Sequence, residues 1–283
     1  MTTLKTNDVA LSQQIENLLV QKNLCVMKDV LEILKPGYYL RAATFLKDCK
    51  GTVLIGTGFP IEDTFKTDGS VGAIALYRSL ARLGANPVLV CDSPLAPALA
   101  VDFTVYQITI SDLTIAEAET RNVLAELKPE LIISIERPGF SETGKYFNMR
   151  DKDISLRCAC FDYFLSLAVC PTIAIDDGGN KVGMGNLKDA LDKLDITPPA
   201  TTCDELLIAD ISNWGAYGLI ALLAKWNDKN LLAAIIISEI LRYLSKRGSV
   251  DSVPRQNTLT EDSLLVSEGE KIILSLRKLT GFA

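Results

Sequence analysis

Histidine is absent from this chain of 283 residues. That excludes Ser-His-Asp and Cys-His nucleophile systems and every zinc site built on imidazole. Acid–base work near neutral pH therefore falls to Asp, Glu, Lys, Tyr or Cys with a displaced pKa. A metal site here would be oxygen-rich and suited to Mg²⁺, Ca²⁺ or Mn²⁺. Long apolar runs are missing too: the longest, Leu231 to Ser238, is far too short to cross a bilayer. Basic charge is in deficit, 29 Lys and Arg against 35 Asp and Glu, and the net −6 argues against a nucleic-acid partner. No C-x-x-C pair occurs among the seven cysteines at 25, 49, 91, 158, 160, 170 and 203. Their odd number and apolar neighbours predict reduced core thiols in a cytoplasmic setting. Met1 to Gln14 is polar and lacks an apolar signal core, so neither secretion nor a membrane partner is expected.

What is present suits a substantial core: 48% hydrophobic residues with 23% charged. Leu11, Ile15, Leu18 and Leu19 recur at helical spacing, and a second helical pattern covers Tyr38 to Lys47. Short β-branched runs then alternate with helical patterns. Strands are predicted at Thr52–Ile55, Pro87–Val90, Val105–Ile110, Leu131–Ile135, Thr172–Ile175 and, more weakly, Leu206–Ala209. Helices are predicted at Ser70–Leu83, Thr114–Leu127, Ser155–Ala168, from Asn186, and over Asn213–Trp226, Leu231–Lys246 and Ser263–Lys278. Continuously apolar strands separated by helices imply an α/β fold of three layers. It has a mostly parallel sheet with helices on both faces and extra helices at both termini. The simplest organisation is one α/β domain over 1–283, with a helical N-terminal segment to about 50 and a helical C-terminal addition from about 228.

The densest chemical signal is Asp176-Asp177-Gly178-Gly179-Asn180-Lys181-Val182-Gly183-Met184-Gly185-Asn186, directly after the Thr172 strand. Two carboxylates at a strand's end, amides, and four glycines that let the backbone approach a partner suggest a site; an elaborate turn is the bland alternative. Other polar clusters also follow predicted strands. These are Gly56-Thr57-Gly58-Phe59-Pro60 through Thr67-Asp68-Gly69, Glu136-Arg137-Pro138-Gly139, and Gly144-Lys145-Tyr146-Phe147-Asn148-Met149-Arg150. Ser212-Asn213-Trp214-Gly215 stands before a late helix. Ligands of open parallel sheets bind outside the carboxyl ends of the strands, so the loops bearing Asp68, Arg137, Asn148 and Asp176 are expected to line one cleft. Each element also has a plainer reading. Gly56-x-Gly58 lacks the third glycine of a dinucleotide fingerprint. Asp68-Gly69-Ser70 can be a turn and helix cap, Ser212 or Asn213 a cap, and Arg137 and Arg150 partners of surface carboxylates. Arg137, directly after a buried strand, is suited to clamping a carboxylate or phosphate.

Taken together, Gly56–Pro60, Thr67–Gly69, Ile135–Gly139, Tyr146–Arg150, Asp176–Asn186 and Ser212–Tyr217 resemble the family of D-glutamate cyclase C-terminal-like domains. The resemblance spans about 160 residues in the middle of the chain. It implies a carbon–oxygen lyase of amino-acid metabolism, converting D-glutamate to 5-oxo-D-proline and water, with a small acidic metabolite as partner. No cofactor is required by this reading, and no metal ligands are assigned. By chemical type, Asp176 or Asp177 would be the base and Tyr146 or Lys145 the acid. Arg137 would hold a substrate carboxylate. Gly58, Asp68, Arg150, Gly178, Gly179, Asn180, Gly183, Gly185 and Asn213 would line the site, and Asn148 and Asn186 amides or glycine N–H groups would meet the oxyanion. Two other readings stay open: an enzyme using Mg²⁺ on a phosphorylated metabolite, and a non-catalytic metabolite-binding module. Either is compatible with a homo-oligomer.

Overall fold

The computed structural model describes residues 6–24, 27–191 and 196–282. In chain order the elements are α1 (Thr6–Leu19), α2 (Met27–Leu31), α3 (Tyr38–Leu46), β1 (Thr52–Thr57), β2 (Pro60–Ile61), β3 (Thr64–Phe65) and α4 (Ser70–Leu83). There follow β4 (Asn86–Cys91), α5 (Leu95–Leu99), β5 (Val105–Gln107), α6 (Leu113–Leu127), β6 (Leu131–Ile135), α7 (Asp162–Ser166), β7 (Thr172–Asp176), α8 (Lys188–Leu191) and β8 (Glu205–Ile208). The chain closes with α9 (Ser212–Trp226), α10 (Ile237–Ser245), β9 (Thr260–Glu261), β10 (Leu264–Leu265) and α11 (Val266–Thr280).

Six strands form one parallel sheet in the order β5-β4-β1-β6-β7-β8. The chain winds outward from β1 in one direction and from β6 in the other, which opens a crevice where these two neighbours end. Every residue of β6 and β7 is buried, as expected for strands covered on both faces. On one face, α6, α7 and Phe161 close a smaller core around Leu54, Val90 and Ile132. On the other, α3, α4 and α9 meet the sheet or each other, and α1, α10 and α11 pack outside them. Helix α9 is apolar all round and buried from Ser212 to Ala224 because it is caught between sheet and outer helices. Truncating a side chain such as Ile220 there would cost about 2–5 kcal/mol. The three-layer α/β reading and the terminal helices therefore hold.

Two predicted helices are shorter. Ser155–Ala168 resolves into a single turn at Ser155–Arg157 and α7. The residue between them explains the break: Ala159 gives its N–H to Asp92 and its carbonyl to Arg137, so neither is free for a helix. Leu231–Lys246 likewise becomes a turn at Leu232–Ala234, an extended Ile235–Ile236, and α10. Edge strand β5 ends at Gln107 rather than Ile110. Cys91, Cys158 and Cys160 are buried free thiols; Cys49, Cys170 and Cys203 are half-buried, so the core assignment is too strict for these three. Cys25 lies outside the described residues. Among the described residues, no helix is long and apolar enough to cross a membrane.

Candidate active site

The loops leaving β1, β6 and β7 meet at the crevice and bring together a buried knot of charge. The β2–β3 hairpin returns the chain so that the N–H of Lys66 bonds Phe59 O at 2.9 Å. This directs Lys66 inward, where its Nζ lies 2.8 Å from Glu136, 3.0 Å from Asp262, 3.3 Å from Asp68 and 3.9 Å from Asp177. Lys181 Nζ lies 2.6 Å from the same Glu136 oxygen and 3.1 Å from Asp177. Ser212, at the start of α9, donates to the other Glu136 oxygen at 2.6 Å. Glu136 itself holds φ +57°, a conformation that side chains adopt at a cost of roughly 1–2 kcal/mol. Gly69 makes room for it: a Cβ at 69 would sit 2.4 Å from that of Glu136.

Charge in this knot is set by burial and by how the two ammonium groups are shared. Burial alone would lower the pKa of Lys66, yet Asp177, Asp262, Glu136 and Asp68 together drive it well up. Lys181 is likewise raised, with Asp177 and Glu136 outweighing its burial. Burial would raise the Asp177 carboxyl, but Lys181 and Lys66 hold it below its ordinary value. Asp68 goes the other way. Its burial and the carboxylates around it prevail over Lys66, which has closer partners, so its pKa is well above normal. Asp176 is also raised well above normal, by burial first.

Asp68, Glu136 and Asp177 each turn one oxygen to a common point, with all three oxygens within 4.8 Å of one another. Such a buried acidic triad is spaced to hold a hard divalent cation. Lys66 and Lys181, however, already sit on these oxygens, so a dication there would face two ammonium groups at contact distance. As arranged, the site supplies its own cations, and the residues fit a metal only if the lysines move away.

Above the knot lies a cleft of about 160 Å³ lined by Phe59, Ile61, Lys66, Glu136, Asn148, Met149, Arg150, Asn180, Lys181, Ser252 and Arg255. Phe59 lies 5.4 Å from Lys181 Nζ and covers it in a cation–π contact. Arg150 and Arg255 are exposed at the mouth, and Arg255 reaches Glu62 at 3.5 Å. Asn180 donates to Phe147 O, and its own oxygen has no partner among the described residues. Asn148 spends its oxygen on the N–H groups of Arg150 and Lys152, shaping the turn that carries Arg150.

Several residues picked from the sequence are placed elsewhere. Arg137 does not reach the cleft: it is fully buried and donates to Thr57 O, Gly58 O, Asp92 and Ala159 O, bracing the β1 and β6 loops. Gly58 belongs to that brace. Tyr146 does not line the cleft: it is buried with its hydroxyl on Asp162 at 3.0 Å, and burial pushes its pKa far up. Lys145 is an exposed partner of Asp153. Gly183, at φ +99°, lets its loop press on β7, since a Cβ there would stand 2.3 Å from that of Ala174. Gly185 packs on the Thr201 carbonyl, Gly179 on Ile196, and Asn186 bonds the Cys203 backbone in both directions. Only Gly178 of the glycine run borders Lys181 and Met149. Asn213 caps a helix, though not its own: its oxygen accepts the N–H groups of Gly69 and Gly72, which open α4. Asp68 accepts the Asn213 N–H in return.

Lys66, Lys181 and Glu136 form the centre of the site, yet the sequence assigns none of the three a role. Ser252, Arg255 and Asp262 arrive from a polar segment that reads as a mere connection between helices. Nothing local marks these residues. They matter because the Val250 backbone pairs with Phe65 and Thr67, which lays the segment against the cleft.

The sequence profile of the D-glutamate cyclase-like, C-terminal family matches residues 15–277. The chain belongs to this family. Within the D-glutamate cyclase-like group, the human mitochondrial D-glutamate cyclase is 31% identical over 207 residues, covering 64% of this chain and 33% of that enzyme. The chain thus spans about a third of the length of this curated relative. Among solved structures, an exopolyphosphatase-related protein from Bacteroides fragilis superposes with a TM-score of 0.42 at 10% identity, covering 87% of this chain and 60% of its own. A 3-oxoacyl (acyl-carrier-protein) reductase from Agrobacterium tumefaciens gives 0.26 at 11%, covering 74% and 70%.

Proposed function

We propose that this D-glutamate cyclase-like domain is a lyase that closes D-glutamate to 5-oxo-D-proline with loss of water. The observation that carries the reading is the Glu136–Lys181 contact of 2.6 Å on the floor of a small cleft whose mouth bears two arginines. On the floor, two ammonium groups face the carboxylates of Glu136, Asp177 and Asp262, so the floor offers no surplus positive charge to an anion. The mouth does. A substrate α-carboxylate would therefore be held by Arg150 and Arg255, and its ammonium directed to Glu136.

Glu136 would take one proton from that ammonium, freeing the nitrogen to attack the γ-carboxyl carbon. As the N–C bond forms, Lys181 gives a proton to the carboxyl oxygen, and Lys66 steadies the charge on the floor. The nitrogen then yields a second proton, the C–O bond breaks, and the oxygen leaves as water. Both protons lost by nitrogen end on that water, with Glu136 and Lys181 restored. Asp177, which the sequence offered as a base, would instead fix Lys181 in place.

The test is incubation with D-glutamate, L-glutamate and other acidic amino acids, with and without Mg²⁺, read by mass spectrometry for a product lighter by one water. Activity should fall by roughly 10²–10⁴ in Glu136→Gln, the usual share of a general base. Tight binding of D-glutamate with no product under any condition would replace this reading with that of a binding module.

A further inference from the structure

A second hollow, of about 460 Å³, lies between the later part of α4, α10 and the segment that leads into it. Its walls include Tyr77, Phe103, Leu231, Ile235 and Tyr243, with Arg78 and Arg82 on the α4 side. Arg78 stands eight residues beyond Ser70, so roughly 12 Å along α4 from the end that meets the active site. The rings form a connected edge-to-face set: Tyr77 to Phe103 at 5.1 Å and Phe103 to Tyr243 at 5.9 Å.

The charges of this hollow do not balance. Among the described residues that line it, Asp102 is the single carboxylate, and Arg247, packed on the Tyr243 ring at 3.6 Å, already engages it at 3.1 Å. Arg78 leans on Phe103 at 5.8 Å. Neither Arg78 nor Arg82 has an ion-pair partner among the described residues. They lie four apart on one helix, which makes them neighbours on the same face. In a chain of net charge −6, two unneutralised guanidinium groups thus stand beside an aromatic and aliphatic wall. Planar guanidinium forks match the oxygens of a phosphate, and a dianion neutralises both at once. The wall would take an apolar body attached to it.

We infer that this hollow is a second binding site, for a small phosphate monoester with an aromatic or branched apolar group. The inference does not depend on the activity proposed above. It is tested by calorimetric titration of the whole chain with phenyl phosphate. Saturable binding is expected, weakened about tenfold by Arg82→Gln and by Arg78→Gln, the share of one charge-assisted hydrogen bond. Inorganic phosphate and benzyl alcohol, each holding half of the recognised chemistry, should bind at least about tenfold more weakly. Arg150→Gln, at the mouth of the first cleft, should leave the affinity unchanged. Arg82 is exposed and packs on no ring, so its variant should melt like wild type and decides the case. Absence of saturation, equal binding of inorganic phosphate, or an Arg82→Gln variant with unchanged affinity would each overturn the inference. Loss of binding in Arg150→Gln would do so too, by placing the ligand in the first cleft.

Discussion

Replacing Lys66 by Met keeps most of the side-chain volume and removes one charge from a site where four carboxyl groups lie within 4 Å of the ammonium. Lys66 is about 6% exposed, so water cannot take over its role. Removing one partner of a buried ion pair costs about 3–5 kcal/mol, because the other charge is left uncompensated. For a chain of this size that is a fall in Tm of roughly 6–10 °C near neutral pH. The pH dependence sharpens the test. In wild type, the raised pKa of Lys66 gives stability that is full below its unfolded value and lost only as pH rises through the still higher folded value. In the variant, the Asp68 and Asp177 carboxyls lose the cation that lowers them and rise in pKa. Acids raised in the folded state stabilise it below their unfolded pKa, and that gain is lost as pH climbs through the folded one. The deficit should therefore be small near pH 5 and large at pH 8, and nearly insensitive to salt because the cluster is buried. Calorimetric Tm from pH 5 to 9 measures it. An equal deficit across that range, or one below about 1 kcal/mol, would show that the lysine does not neutralise this cluster. Recovery of Tm with Mg²⁺ in the variant alone would show that the acidic triad takes a cation once the ammonium is gone.

Other outcomes follow from the same geometry. Arg150→Gln should raise KM for an acidic amino acid with unchanged Tm, a loss of about 1–3 kcal/mol in steady-state kinetics. Arg137→Lys should lower Tm instead, since an ammonium cannot span the bonds to Thr57, Gly58, Asp92 and Ala159; equal melting would sink the bracing role. Gly183→Ala should lower the Tm by several degrees, from left-handed backbone and the clash with Ala174 together. Burial raises the Glu261 carboxyl from 4.5 to about 7. Wild type should therefore lose stability as pH rises between these values, and Glu261→Gln should flatten that part of the Tm–pH curve.

The sheet was legible in the sequence because each strand is a short run of buried β-branched residues, a pattern that needs no partner to be recognised. Helices with a full apolar stripe and a glycine stop, such as Ser70–Leu83 before Gly84, were equally plain. The two-residue strands of the hairpins were not, since two residues show no period. Of the loops bearing Asp68, Arg137, Asn148 and Asp176, expected from strand ends to line one cleft, Asn148 is in the lining and Arg137 is not, while Asp68 meets Asp177, the neighbour of Asp176, beneath it. Side-chain direction does not follow. Arg137 and Glu136 are adjacent at the end of β6, and the one pointing into the cleft is the acid, because the backbone turns left-handed at Glu136. Tyr146 and Asn186 are polar residues spent on holding loops, and composition cannot tell such bonds from ligand contacts. Arg255 and Asp262 reach the site from about 190 residues beyond Lys66, a separation across which sequence patterns carry no signal.

That separation also sets an order of assembly during synthesis. All six strands and Lys66, Glu136 and Lys181 have been made by residue 208, whereas Asp262 comes far later. A nascent chain can therefore build its sheet and enclose Lys66 while one of that lysine's nearest carboxylates is still missing. Once the 250–262 segment docks through Val250, it delivers Asp262 to the ammonium and Ser252 and Arg255 to the cleft in one movement. The pocket is thus finished last, by a stretch that contributes nothing to the sheet, and a ribosome paused before that stretch would display a folded sheet with an incomplete cleft.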